Sequence, residues 1–199
     1  MAYNKFTLEK ASNDFSLSTD SWHNPFLDVE PKEPSTWLTQ TLTESRPLGR
    51  SSATEKARSE FIVAPILIEL YRLTNRTINI FSGKTFDVDP KRGLNGACDF
   101  MISLNPDMFI LRAPLIAIVE AKKGDLDEGL GQCAAEMYAA KIFNEQKKQP
   151  LDTIYGAVTT GETWKFMKLK KQTLSIQPNF TSLEHLDKIL GLLLKMSTR

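Results

Sequence analysis

Histidine and cysteine are scarce in this chain of 199 residues, with only His23, His185, Cys98 and Cys133. No two of them stand at zinc-ligand spacing, and two isolated cysteines make no disulfide framework, so they read as free thiols in a reducing compartment. No stretch is apolar enough to span a bilayer, and the polar N-terminus lacks the apolar segment of a secretory signal. A soluble, cytoplasmic protein with no membrane partner is expected. An excess of one charge is also missing: the formal net charge is +1. Any phosphate-binding surface must therefore come from local clusters of Lys and Arg. The chain has no Gly-rich phosphate loop, no Ser or Cys nucleophile elbow, no His pair for acid-base chemistry and no internal repeat.

What is present is an ordinary globular composition, 41% hydrophobic and 25% charged. That suits one compact α/β domain with a real core. Residues 1–50 lack sustained periodicity and are expected to form an irregular N-terminal arm with one short helix from Ser35, carrying Trp37, Leu38 and Leu42. Residues 51–199 are expected to form the single domain. Within it the patterns read as a helix from Thr54 to about Thr74, strands over 77–81, 98–104 and 115–122, and a helix over 127–144. Two strands over 153–159 and 163–169 follow, joined by a tight turn at Thr160-Gly161-Glu162, and then a helix over 183–196. Antiparallel strands followed by a strand reached through a helical crossover imply a central mixed sheet flanked by helices.

One segment departs from ordinary patterning. The apolar run Leu115-Ile116-Ala117-Ile118-Val119 reads as a strand covered on both faces, yet it ends in Glu120-Ala121-Lys122-Lys123. Alternation puts Glu120 and Lys122 on one face and Ala121 and Lys123 on the other. In the preceding strand Asp99 is an acid among apolar residues. In the helix before it, Glu60 breaks the apolar stripe at three residues before Val63 and seven before Leu67, which predicts a carboxylate on or near the inward face. The bland alternative is a helix-rim acid paired with a neighbouring Arg. Gln132, in register with Ala135 and Ala139, is expected to turn its amide toward the sheet, where it needs partners.

If the two strands end at the same edge, Asp99, Glu120 and Lys122 converge. Two carboxylates a few ångströms apart repel, and a hard divalent cation relieves them. Mg²⁺, or Mn²⁺ in its place, suits a site of carboxylate oxygens and retained waters, with the Ala121 carbonyl as a further oxygen. Such a site polarises phosphoryl groups and activates water, so metal-assisted phosphodiester hydrolysis is the chemistry these residues point to.

The Asp99 strand, Glu120-Ala121-Lys122 ending the next, Glu60 on the helix before and Gln132 on the helix after resemble the PD-(D/E)xK, or restriction-endonuclease-like, nuclease superfamily. The resemblance covers roughly residues 54–170 and implies an αβββαβ core and an Mg²⁺-dependent nuclease acting on nucleic acid, with DNA favoured. It implies that Asp99 and Glu120 bind metal with help from Glu60, and that Lys122 positions the attacking water. Gln132 with Tyr138 is similar to a Gln-plus-Tyr helix motif of several branches. Gly161-Glu162-Thr163-Trp164-Lys165-Phe166 is more weakly similar to a hairpin of type I restriction motor subunits. Cys98 stands where the superfamily's name has Pro.

Lys123, Tyr138 and Lys165 are expected substrate contacts. The clusters Lys147-Lys148 and Lys165, Lys168, Lys170 and Lys171 either follow a phosphate backbone or form a solvated face. Trp164 and Phe166 either stack on a base or pack in the core. A homodimer would let both strands of a duplex be cut. The competing readings are a catalytically silent nuclease-fold module that binds nucleic acid or a protein partner, and a structural network of buried ion pairs.

Overall fold

The computed structural model describes residues 2–52 and 54–198; residues 1, 53 and 199 of the two expected segments lie outside them. It is a mixed α/β fold built on an eight-stranded mixed sheet. Helices cover both faces of the sheet, each over its own apolar cluster.

The N-terminal segment departs from the expected irregular arm. Helix α1 spans Leu8–Phe15, capped by Thr7, whose hydroxyl accepts from the Lys10 amide at 3.1 Å, and strand β1 spans Ser18–Asp20. Tyr3, Phe6 and Phe15 are buried in the main core. The helix after Ser35 is not short either: α2 runs over Thr36–Ser51. Leu38 and Leu42 bury one face of it, and Gly49 allows contact with Ile62, whose Cγ1 would lie 2.8 Å from a Cβ at position 49.

The helical stretch after Thr54 has three parts: α3 over Glu55–Arg58, a π-helical turn over Ser59–Val63, and α4 over Ala64–Leu73. The expected strands form as β2 over Asn79–Thr85, β3 over Ala97–Ser103 and β4 over Leu115–Ala121. Helix α5 follows over Asp127–Gln146, then β5 over Thr153–Thr159 and β6 over Thr163–Lys170. Two strands come without a sequence expectation, β7 over Thr173–Ile176 and β8 over Thr181–Ser182, before α6 over Leu186–Met196.

The strand order is β1-β7-β6-β5-β4-β3-β2, with β8 beside β6. Strands β2, β3 and β4 are antiparallel neighbours, whereas β4 and β5 are parallel, joined by the α5 crossover. β4 is buried along its whole length, which is why its sequence is continuously apolar rather than alternating. The turn after β5 closes with the Thr160 amide donating to the Thr163 carbonyl at 3.0 Å, and Gly161 takes the positive φ of 83° that this turn requires.

Helix α5 packs on the β4–β5 pair on one side and on the N-terminal segment on the other. A Cβ at Gly131 would lie 2.2 Å from the Thr7 carbonyl carbon and 2.4 Å from the Phe6 oxygen, both backbone atoms that cannot step aside. The segment from Tyr3 to Leu17 is thus integral to the core. Phe15→Ala should cost about 3–5 kcal/mol, as removal of a buried aromatic does. Gly131→Ala should cost about 1–3 kcal/mol through overpacking. Chemical denaturation measures both, and values near zero would mean that the segment is only loosely attached.

Candidate active site

The register of three strands assembles the site. Phe100 pairs with Val119 across β3 and β4, and one residue further along each strand stand Asp99 and Glu120. Asp99 shares its face with Met101, and Glu120 shares its face with Ile118; both Met101 and Ile118 lie in the cluster under α5. The two carboxylates therefore face the first turns of α5. The Asp99 Oδ2 accepts from the Ala121 amide at 2.8 Å, which fixes that carboxylate against the end of β4. The Lys122 amide donates to the Thr159 carbonyl of β5 at 2.7 Å, extending the parallel pairing by one residue and holding the Lys122 backbone.

From there a chain of polar contacts runs into the core. Lys122 Nζ lies 2.8 Å from Glu120 Oε1 and 3.0 Å from Gln132 Oε1, and Gln132 Nε2 donates to Glu136 Oε1 at 3.0 Å. The amide of Gln132 is thereby oriented, with its oxygen toward the ammonium and its nitrogen toward the acid. Lys122 has room because position 129 is glycine; a Cβ there would sit 3.0 Å from Lys122 Cγ and 2.5 Å from Val158 Cγ1.

One cation serves three buried or half-buried acids, Asp99, Glu120 and Glu136. Burial pushes the Glu120 carboxyl well above its ordinary range, Asp99 adds to the shift, and Lys122 opposes it only in part. Asp99 is raised by burial, against the Ala121 amide and Lys122. Glu136 is raised by burial and then by Glu120. Lys122 is desolvated, which opposes its charge, but the surrounding acids, Glu120 first and then Glu55 and Asp99, together outweigh that and raise it above its ordinary value. Glu120 Oε2 and Glu136 Oε2 are buried with no hydrogen-bond partner. A buried carboxylate oxygen left unpaired is costly, and the one on Glu120 faces the crowding from Asp99 as well.

Among the described residues no group of three or more His, Cys, Asp or Glu side chains stands together to hold a metal ion. A cation here would rest on the Asp99 and Glu120 carboxylates, a donor set that suits Mg²⁺ because Mg²⁺ keeps several waters. The unpartnered Glu120 oxygen fits that role.

Glu60 is not inward-facing. Its spacing from Val63 and Leu67 assumes 3.6 residues per turn, and the π-helical turn over Ser59–Val63 breaks that period. Its side chain is 52% exposed and pairs with Lys56 at 2.5 Å. Glu60 nevertheless lines a hollow of about 350 Å³ together with Asp99, Ser82 and Glu55. Glu55 lies nearer the strand ends: its Oε1 accepts from the Lys123 amide at 3.2 Å, and it adds to the upward shifts of Asp99 and Glu120. Sequence periodicity gave no signal for Glu55, which sits in a four-residue helix. Glu136 did leave one, being one turn beyond Gln132 on the same face.

Tyr138 is turned away from the site. It stacks on Phe15 at 4.5 Å, with Arg92 over its ring, because two residues beyond Glu136 lies another face of α5. Lys165 is ion-paired with Asp127 at 3.0 Å and 17% exposed. Lys123 is exposed beside the site. Trp164 and Phe166 are fully buried and stack on each other, so neither offers a face to a base. No helix among the described residues is long and apolar enough to cross a membrane.

No family model and no curated protein matches this chain.

The raised carboxyl of Glu136 has a signed consequence. Below the ordinary Glu value of 4.5 the group is protonated folded and unfolded; as pH rises above that value the unfolded chain releases the proton first, so stability falls toward the folded-state value. Glu136→Gln keeps an oxygen for Gln132 and removes the titration. It should leave acid stability nearly unchanged and raise stability at neutral and alkaline pH. Urea unfolding across pH checks this, and a variant less stable at every pH would refute it.

Proposed function

We propose that this chain is an Mg²⁺-dependent nuclease of the PD-(D/E)xK, restriction-endonuclease-like type, hydrolysing phosphodiester bonds of nucleic acid, with DNA the favoured substrate. The observation that carries the reading is the meeting of Asp99, Glu120 and Lys122 at one end of the sheet, with a buried Glu120 oxygen lacking any partner. The order α3–α4, β2, β3, β4, α5, β5 supports it as well, since it follows the superfamily's αβββαβ core.

In this reading Asp99 and Glu120 hold the cation, which when bound supplies Lewis-acid polarisation of the phosphoryl group and acidification of a water. The protein's own part is positional and electrostatic. Lys122 presents an ammonium beside the acids, where it orients the attacking water and stabilises negative charge on the phosphate. Gln132 keeps that ammonium from swinging away, and Glu136 keeps Gln132 from flipping. Glu55 takes the supporting place that the sequence assigned to Glu60.

Incubation with DNA and RNA substrates in Mg²⁺ or Mn²⁺ tests the proposal. Cleavage is expected with the cation and none in chelator. Asp99→Asn and Glu120→Gln should each lower the rate by about a thousandfold or more. Failure to cut any nucleic acid would overturn the proposal in favour of a silent binding module. Stability separates a third reading, the structural ion pair: breaking such a pair costs about 3–5 kcal/mol. A metal site with crowded acids instead predicts that Glu120→Gln leaves the metal-free protein as stable as before or more so.

A further inference from the structure

Most of the lysines that the sequence offers for phosphate contacts lie at the other end of the sheet; Lys165, opposite Val158, stands at the site's end but is ion-paired with Asp127. Lys170 pairs with Thr153 at the start of β5, whereas the acids sit by Thr159 at its finish; Lys147 and Lys148 follow the far end of α5. A different basic cluster stands at the site's own end. Arg46 and Arg50 on α2 and Arg58 on α3 gather round Glu162 in the turn that follows β5. Arg46 donates to the Glu162 carboxylate through Nε at 3.0 Å and also through Nη2. Arg50 Nε lies 3.5 Å from the same carboxylate, and Arg58 Nη1 donates to the Thr160 carbonyl at 3.3 Å. These guanidiniums hold the Glu162 carboxyl below its ordinary range, Arg46 most of all through its hydrogen bonds.

One bidentate arginine satisfies a carboxylate. The other two outnumber Glu184, the further acid acting on Arg46, and leave the cluster with excess positive charge, and Arg50 extends it outward with 64% of its side chain exposed. Arg46 and Arg50 line a groove of about 690 Å³ between α2 and the segment around Leu183 and Leu186. The turn links the two: Thr159, whose carbonyl holds the Lys122 amide, directly precedes the turn whose Glu162 is held by Arg46 of the groove.

We infer that Arg46, Arg50 and Arg58, gathered round Glu162, form a backbone-phosphate subsite that seats the polynucleotide strand as it leaves the acids. The inference rests on the nuclease reading for the place where the strand starts. A strand running from Asp99 and Glu120 across the end of β5 meets Arg58 first and the groove next. Phosphates recur at every nucleotide, so an arginine row on that line neutralises successive charges and releases counterions. Glu162 keeps the guanidiniums ordered in the free protein and offsets part of their charge. It is therefore a brake on binding rather than a contact.

Binding of a fluorescein-labelled DNA duplex, of its single strand and of an RNA of the same sequence, followed by anisotropy in chelator over a range of salt, tests the subsite without interference from cleavage. Arg50→Gln, an exposed change that leaves the Arg46–Glu162 pair intact, should weaken binding by about tenfold at low salt and lower the slope of log K against log salt by about 1. Glu162→Gln should tighten binding, an effect opposite to that of losing a structural ion pair, and thermal unfolding establishes that both variants fold. Lys171→Gln, at the far end of the sheet, should change neither affinity nor slope. Unchanged affinity and slope in Arg50→Gln and Glu162→Gln, with cleavage by the parent protein intact, would overturn the subsite and leave the nuclease reading standing. Arginine-dependent binding by a protein that never cuts in Mg²⁺ or Mn²⁺ would do the reverse. A parent protein that binds neither DNA nor RNA overturns both.

Discussion

A single ammonium set among carboxyls that outnumber it governs this molecule. Lys122 touches Glu120 directly and reaches Glu136 through Gln132, while Asp99 crowds the same space from the neighbouring strand. One positive charge cannot neutralise three acids in a poorly hydrated site, so the remaining groups either keep their protons or acquire another cation. The orphaned oxygens of Glu120 and Glu136 express that imbalance. A sequence selected for stability alone would put apolar residues there, since replacing buried charges by packed hydrophobes is often neutral or favourable. The arrangement makes physical sense as a site whose balance is completed by something that binds.

The rest of the fold serves to hold that imbalance still. β4 is buried on both faces, Glu120 included, so the carboxylate near its end is held out of water. Thr159, the last residue of the parallel partner β5, fixes the Lys122 backbone just past the end of β4, and α5 brings Gln132 and Glu136 down onto the same face. Close approach of α5 depends on glycine where it meets Lys122 and Val158, and again where it meets the backbone of the N-terminal segment. The segment that begins the chain therefore braces the helix that orders the lysine. Loss of that brace would be felt at the acids without touching them.

The elements that sequence periodicity located are those whose own burial writes a pattern. β4, β5, β6 and α5 carry long apolar runs or stripes, and the charged ending of β4 stood out against its run. β1 left no such mark: Ser18, Thr19 and Asp20 join the sheet through backbone pairing with Thr173, Leu174 and Ser175, and backbone pairing leaves no trace in side-chain type. Helix α2 was legible at its start, through the Ser35 cap, but not in its length, which depends on the contact of Gly49 with Ile62. The π-helical turn defeated the spacing argument for Glu60, because a regular period is what that argument presupposes. Glu55 comes near the acids only through folding, across 68 residues from the Lys123 amide it meets. Arg46, Arg50 and Arg58 leave no compact signal for a similar reason: they are spread along two helices, whereas the compact pairs Lys147-Lys148 and Lys170-Lys171 fold to the far end of the sheet.

The net charge of +1 conceals a sorted distribution rather than a neutral one. At one end of the sheet lies a cluster of acids with too few cations, and next to it a cluster of arginines with too few acids. Each is unfavourable in isolation, and although their signs are opposite neither relieves the other, because the carboxylates are fixed inside the α5 face while the guanidiniums are fixed over the turn after β5. A polyanion approaching the acids alone would be repelled. Two additions change that, a divalent cation between the carboxylates and a row of guanidiniums along the path of the strand, and the two act at different ranges. The cation acts at bonding distance on one phosphate, whereas the guanidiniums act over about a Debye length, roughly 10 Å at decimolar salt, on the phosphates either side. For the proposed nuclease, then, the metal and the arginine groove are two answers to one electrostatic problem. A chain that solves it locally has no need of the strongly basic composition by which nucleic-acid-binding proteins are usually recognised.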